Sequence, residues 1–420
     1  MAKLHHIHDG KAARPVGPDL TAFLSLGFRP LYIAGCAWAL ISIALWIFFP
    51  QFIAQPLSAV AWHAHEMLWG FIATIAVGFL LTASATWTGF NPLKGPALAL
   101  VCLLWVVARV GYLIDGQVAF CIAAIAESGF FAISAVCLMR VMIKGKSRRN
   151  YGLPLLVLGL GVANALYLAA ALQGDYILLM RRFDLGLICM AIIALLIGRR
   201  VIPFFAMRMV PSLQLPMQVR TGHIQLALSV AAIALGIVGL PMFMAVALAL
   251  VGVLSLWQTA YWKPAAVLHK PMLWILYLGY ALMGIGLVFA ALHVSGYGTG
   301  MLARSATHVH IIGMGGFTVL IIGMVTRTAL GHLGRPLAMS PDIMASYLLM
   351  VAAVVLRLAA LWPSSASGWQ LQAAALCWIA SIGVYLWRFA PLLIRPRYSA
   401  PMSPPATAPA AGATLKPKSS

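Results

Sequence analysis

The sequence predicts an all-α membrane protein of about twelve transmembrane helices with both termini cytoplasmic. Three observations carry that reading. The 420-residue chain is 63% hydrophobic and only 9% charged, with a mean hydropathy of +0.96, and a soluble chain of that length needs far more charge. Its apolar residues fall in long blocks, many of about 18–22 residues, enough to cross a hydrocarbon layer about 30 Å thick. Its basic residues sit in the short connectors between those blocks, where the positive-inside bias places them.

In order, the blocks are 31–49, 66–86, 96–113, 118–141, 153–172, 184–202, 223–240, 242–262, 271–293, 306–328, 342–362 and 369–387. Only Gly239 and Pro241 separate the seventh from the eighth. With a cytoplasmic N-terminus, alternation through twelve spans puts 23 of the 28 Lys and Arg on the inner side. The exceptions are Arg109, Arg181, Arg182, Arg304 and Arg357. A missed or extra span in the middle would destroy that asymmetry. The chain thus divides into a cytoplasmic N-terminal segment (1–30), a transmembrane domain (31–390) and a Pro/Ala-rich cytoplasmic tail (391–420) expected to be disordered. The first 30 residues hold no apolar signal-peptide core, so the first span is expected to direct insertion.

The net charge of +20 comes from 28 Lys and Arg against eight Asp and Glu. No basic stretch is interleaved with aromatics on a separate polar domain, so nucleic acid is not the expected partner; the lipid bilayer is. The six cysteines are isolated, with no C-x-x-C pair, and read as small apolar packing residues. A nucleophile elbow, a phosphate-cradling glycine loop and H-E-x-x-H are all missing.

The histidines stand out. His63 and His65 enter the second span from the outer face, followed by Glu66 and Met67. His308 and His310 enter the tenth from the same face, and His293 ends the ninth there. Lone histidines at helix ends are usually interfacial, but paired ionisable groups at membrane depth are costly and point to function. Residues two apart on a helix project about 200° from each other. One His-x-His pair therefore cannot easily chelate one ion, but offers one imidazole on each side of its helix. Haem fits that pattern, with an axial ligand from each of two facing helices. Copper is the other candidate, with His63, His65, Glu66 and His293 as its possible donors. Placing His63 on His308 also matches Gly70 with Gly315, Gly78 with Gly323 and Gly89 with Gly334, although glycine is common in membrane helices.

Arg109 and Glu127 lie within the third and fourth blocks, and Arg357 within the eleventh. Each is expected to sit in a buried ion pair or, for the arginines, on a haem propionate. Arg181, Arg182 and Asp184 form a more solvated group at the outer mouth of the sixth. On the inner face Arg199, Arg200, Arg327, His332 and Arg335 form a basic cluster, read as lipid-phosphate anchoring or as a docking site. His5, His6 and His8 are at best a loose copper or nickel site.

The chain resembles the NnrS family of bacterial membrane proteins over most of its length. The resemblance rests on Phe28-Arg29-Pro30, His63-Ala64-His65-Glu66-Met67, Gly78-Phe79-Leu80-Leu81-Thr82-Ala83 and Trp87-Thr88-Gly89. It continues in Gly198-Arg199-Arg200-Val201-Ile202-Pro203-Phe204-Phe205, Gly323-Met324-Val325-Thr326-Arg327 and Leu330-Gly331-His332-Leu333-Gly334-Arg335. It implies a bacterial inner-membrane protein containing haem b and copper, associated with denitrification and relief of nitric oxide stress. The layout is similar, more distantly, to the catalytic subunit of haem–copper oxidases, which implies three four-helix arcs with haem ligands on the second and tenth spans. The sixth span departs from that pattern. Aligning Gly198 with Gly78 and Gly323 puts Phe183 and Leu185 at the His-x-His positions, so the three-histidine copper site of the oxidases is expected to be absent.

Three functions follow as expectations. The first is a haem protein that binds nitric oxide or buffers its damage, with His63, His65, His308 and His310 as ligands. The second is an oxidoreductase acting on quinol or a nitrogen oxide in the same scaffold. The third is a non-redox twelve-span transporter, whose ionisable residues would be expected nearer the midplane.

Overall fold

A computed structural model describes residues 17–53, 56–57, 59–216 and 218–398. His5, His6, His8 and the tail from residue 399 lie outside them. Among the described residues the chain is all helix, with no strand. We number the twelve apolar helices α1 (Phe28–Phe48), α2 (Ala59–Thr88), α3 (Pro96–Gly111), α4 (Gln117–Lys144), α5 (Gly152–Gln173) and α6 (Tyr176–Met209). The rest are α7 (Val219–Val238), α8 (Pro241–Tyr261), α9 (Pro271–Val294), α10 (Ser305–His332), α11 (Pro341–Ala359) and α12 (Ser367–Leu393). Eleven are long and apolar enough to cross a membrane; α3 is apolar but has only 16 residues. This is a multi-pass membrane protein.

The chain punctuates its helices with the expected residues. Proline opens α3, α8, α9 and α11, where its missing N–H costs nothing. Glycine closes α2, α5 and α7 in the left-handed region. Gly239, at φ +81°, and Pro241 thus suffice to separate α7 from α8. Two helices outrun their apolar blocks. α6 runs through Arg199, Arg200 and Pro203 to Met209, because those arginines find hydrogen-bonding or packing partners along it. α2 starts seven residues before its block, so the first histidine pair lies on helix.

Each helix meets its neighbours in sequence, α2 and α3 through side chains such as Trp105 on Thr74, and α12 returns to α1, closing a ring. Inside it α2, α6 and α10, every fourth helix, touch one another. The outward faces carry apolar side chains such as Val118, Ile125, Val136 and Ile237. Buried hydroxyls return to their own helix, as Ser42 to the Trp38 carbonyl and Thr326 to that of Ile322, since no water satisfies them in lipid.

Both inner helices that bear histidines change pitch directly after them. Glu66–Ala73 and Ile311–Thr318 are π-helical, and they coincide when His63 is placed on His308. Thr318 follows the wider pitch, its Oγ1 donating to the Gly313 carbonyl five residues back. Such segments are rare and gather at functional sites.

Close helix approach depends on glycine where α8 crosses α9. A Cβ on Gly252 would lie 2.7 Å from the Gly284 carbonyl oxygen, and one on Gly284 would lie 3.0 Å from that of Gly252. Gly252→Leu should force the pair apart and cost about 1–3 kcal/mol. That is measurable as a lower thermal unfolding midpoint in detergent; an unchanged midpoint would show that the two backbones do not meet this way.

Candidate functional site

The two histidine pairs split as the helical angle requires. His63 and His310 turn inward from α2 and α10 toward each other, their ring centres 6.4 Å apart and planes 21° apart. His65 and His308 leave the opposite sides of the same helices for different surroundings.

His65 enters a buried ion network that ties α2 to α1, α3, α4 and α5. Its Nδ1 lies 2.8 Å from Glu66 Oε1, and its Nε2 lies 2.9 Å from Asn164 Oδ1 and 3.1 Å from Glu127 Oε2. Arg109 joins the two carboxylates, one guanidinium nitrogen on Glu66 and the other on Glu127. Trp38 Nε1 donates to Glu66 at 2.5 Å, and Tyr112 Oη and Asn164 Nδ2 donate to Glu127 at 3.0 and 2.7 Å. His65, Glu66, Arg109 and Glu127 are all at most 2% exposed. Charges in such surroundings persist only when paired and hydrogen-bonded. Because Asn164 donates through its amide nitrogen, its oxygen must accept, so both ring nitrogens of His65 face acceptors. Both ring nitrogens of His65 are thus engaged within the network.

Gly70 in the π segment makes room for this network. A Cβ there would lie 2.5 Å from Arg109 Nη1 and 2.6 Å from Glu66 Oε2. Tyr167 holds the start of α2 from α5, its hydroxyl donating to the Ala61 carbonyl at 2.8 Å.

The other side of α2 faces a central apolar cavity of about 260 Å³, bounded by α1, α2, α6, α10, α11 and α12. His63 and His310 line it with Trp46, Met180, Phe183 and Trp378. Phe183 is the residue matched to His63 on the sixth span, so a ring packs where a third pair would begin. Trp46 stacks on His63 at 5.0 Å and 7°. His310 Nδ1 donates to the Ala306 carbonyl at 2.7 Å, which fixes its tautomer and leaves Nε2 with a lone pair. His63 Nδ1 is buried with no partner. Arg357 of α11 is the lone Lys, Arg, Asp or Glu of the lining, and it makes no hydrogen bond or ion pair among the described residues.

On the far side of α10, His308 meets His293 of α9 at 4.8 Å between ring centres. Its Nε2 is 3.9 Å from Asp184 Oδ1 of α6, and both His308 Nδ1 and that oxygen are buried without a hydrogen bond. His293 Nδ1 donates to the Ala303 carbonyl at 2.9 Å.

Sequence-based candidates therefore separate into three places. His63, His310 and Arg357 share the cavity; His65, Glu66, Arg109 and Glu127 share the ion network; His308 and His293 lie together beyond α10. The copper donors His63, His65, Glu66 and His293 do not converge, and no three His, Cys, Asp or Glu among the described residues form a metal-binding group. At the opposite end each basic residue has a partner of its own. Arg200 bonds Asn150 at 2.7 Å, Arg199 packs on Gly222, and Arg327 lies over the Phe205 ring at 4.2 Å. His332 packs on Phe28, and Arg335 approaches Tyr398. Trp38, Tyr112, Asn164 and Trp46 escaped notice in the sequence. Asn164 alone carried a signal, as a polar residue inside the fifth apolar block.

The model of the family described as NnrS protein matches residues 22–397. The chain belongs to the NnrS family. The match spans the histidine cavity, the ion network and all twelve helices, so the whole membrane domain is the family's unit. NnrS membership makes the chain a membrane protein related to the nitric oxide response. No curated protein matches it.

Cutting one arm of the network should be costly. Glu127→Ala leaves Arg109, His65, Tyr112 and Asn164 facing a void and should cost about 3–5 kcal/mol, read as a loss of thermal stability in detergent. Glu127→Gln, which keeps the volume, should cost less; equal stability of all three proteins would show that the network is dispensable.

Proposed function

We propose that this chain is a haem-bearing protein of the bacterial inner membrane that acts in the nitric oxide response, with haem b held in the central cavity by His63 and His310. The observation that carries the reading is the pair of imidazoles 6.4 Å apart across an apolar cavity. With metal–nitrogen bonds of about 2 Å, two imidazoles flanking one metal have ring centres about 6 Å apart. The donor set suits the group in kind. His310 is oriented through Nδ1, His63 has an unsatisfied nitrogen, and Arg357 offers a guanidinium to a carboxylate.

Haem held by His63 and His310 would supply one-electron chemistry. The chain's own part is then to fix the imidazoles, exclude water and neutralise propionate charge. His65, Arg109 and Glu127 act as the rigid support of α2, with Arg357 the preferred propionate partner. Copper receives no ligand set from the residues named for it. The fourfold helix spacing of α2, α6 and α10 supports the three-arc layout, and the charge asymmetry supports cytoplasmic termini.

The oxidoreductase reading turns on His308. Its buried, unbonded Nδ1 beside His293 and Asp184 is the feature that favours a second site, at which quinol or a nitrogen oxide could react.

The purified protein should show a Soret band. His63→Ala and His310→Ala should each abolish or strongly diminish it, whereas His65→Ala should lower stability yet keep the band in whatever protein remains folded. A chain purified without haem, or a band indifferent to both His63→Ala and His310→Ala, would falsify the assignment and reopen the transporter reading. Consumption of quinol or nitric oxide by the pure protein, lost in His308→Ala, would select the enzyme.

A further inference from the structure

The three inner helices share a pattern that the histidine pairs do not account for. Along residues 74–82 of α2 every residue is buried except Ala76 and Phe79. Along 186–198 of α6 the exceptions are Ala194 and Ile197, and along 317–327 of α10 they are Ile321 and Met324. Placing His63 on His308 puts Ala76 on Ile321 and Phe79 on Met324. Residues three apart share one face of a helix, so each inner helix keeps one partly bare apolar face where the rest of it is wrapped. All six residues line one cavity of about 80 Å³, to which α1 adds Tyr32. Ile72 lines both this cavity and the histidine cavity.

What this second cavity can hold follows from its lining and its size. Among the described residues the Tyr32 hydroxyl is the single side-chain oxygen or nitrogen around it. A buried water needs about two to four polar partners, and apolar cavities stay dry. An ion would find no charge there to balance its own. A cavity of about 150 Å³ takes one benzene molecule, so one of about 80 Å³ is too small for a quinol ring. A diatomic gas fits. An uncharged diatomic gives up little on leaving water and gains dispersion contacts on every side, among them the polarisable sulfurs of Met190 and Met324.

We propose that this cavity is a gas pocket, built by the matching faces of α2, α6 and α10 to hold one small uncharged diatomic molecule. Ile72 stands between the pocket and the histidine cavity. Nitric oxide is the occupant that the family's response supplies; that choice rests on the proposed function, whereas the pocket itself does not depend on haem. The gas is held there and not altered, because no carboxylate, imidazole, thiol or amine lines the pocket. Its role is to keep the gas beside the histidine pair instead of letting it dilute through the lipid.

Methionine methyl groups report on the pocket in the full chain, ¹³C-methyl-labelled and reconstituted in nanodiscs. Dissolved oxygen is the probe, a paramagnetic apolar diatomic that speeds the magnetic relaxation of the methyls it visits. Met190 and Met324 line the pocket, whereas Met283 and Met350 are 0% exposed and lie outside both cavities. Oxygen should relax Met190 and Met324 several-fold more than Met283 and Met350. Ala194→Phe should fill the pocket and bring the first pair down to the level of the second. Ala76→Leu, a smaller addition, should lower both part-way and serves if the larger ring prevents folding. Equal enhancement at all four methyls, or an enhancement at Met190 and Met324 that the folded variants retain in full, overturns the proposal. Nitric oxide supplied without oxygen, also paramagnetic, should relax the same two methyls; an effect of oxygen alone would strike it out as the occupant. The reading is a difference between gas-free and gas-loaded samples and needs no Soret band, so it can fail while the haem assignment holds, and the reverse.

Discussion

The ion network around Arg109 is the constraint on which the rest of the site depends. It fixes how α2 is turned about its own axis. Glu66 and His65 are adjacent and both are held, so rotation of α2 would expose buried charge to hydrocarbon or break several charge-assisted bonds at once. His63, two residues from His65, is thereby aimed the other way, into the central cavity. A cluster on one side of α2 sets the position of the imidazole on the other. Its cost is accepted for orientation rather than for stability alone.

The tenth helix solves the same problem with different means. It has the same histidine spacing and the same π segment in matching register, but no carboxylate follows His310. Here orientation comes from the Ala306 carbonyl on one side of the helix and from His293 and Asp184 on the other. The two helices thus present different members of their pairs to the shared space, the first from α2 and the second from α10. Two-residue spacing lets one scaffold serve two sides of a helix at once.

Much of this was legible in the sequence because membrane helices obey local rules. Length, proline starts, glycine stops and the distribution of Lys and Arg bear on a span independently of its tertiary partners, and even Gly239 and Pro241 were enough to divide one helix from the next. The opposite projection of His63 and His65 was legible for the same reason. What was hidden depends on contacts between distant segments. Nothing in the third, fourth and fifth blocks says that Arg109, Glu127 and Asn164 meet around His65, or that Arg357 faces the cavity while Arg109 does not. The π segments were hidden too, since no residue type enforces that pitch. For Arg199, Arg200 and Arg327 the sequence records which end of the bundle they occupy, not the Gly222, Asn150 and Phe205 they contact.

The closure of α12 against α1 bears on how the protein is made. Trp378 donates to the Ala39 carbonyl, and Arg29 reaches the carbonyls of Leu393 and Arg395, so the first helix meets its final neighbour only after the last has been synthesised. The central cavity draws its walls from α1 and α12 alike. It cannot exist until α12 has left the ribosome, and any prosthetic group it receives must be loaded after that point.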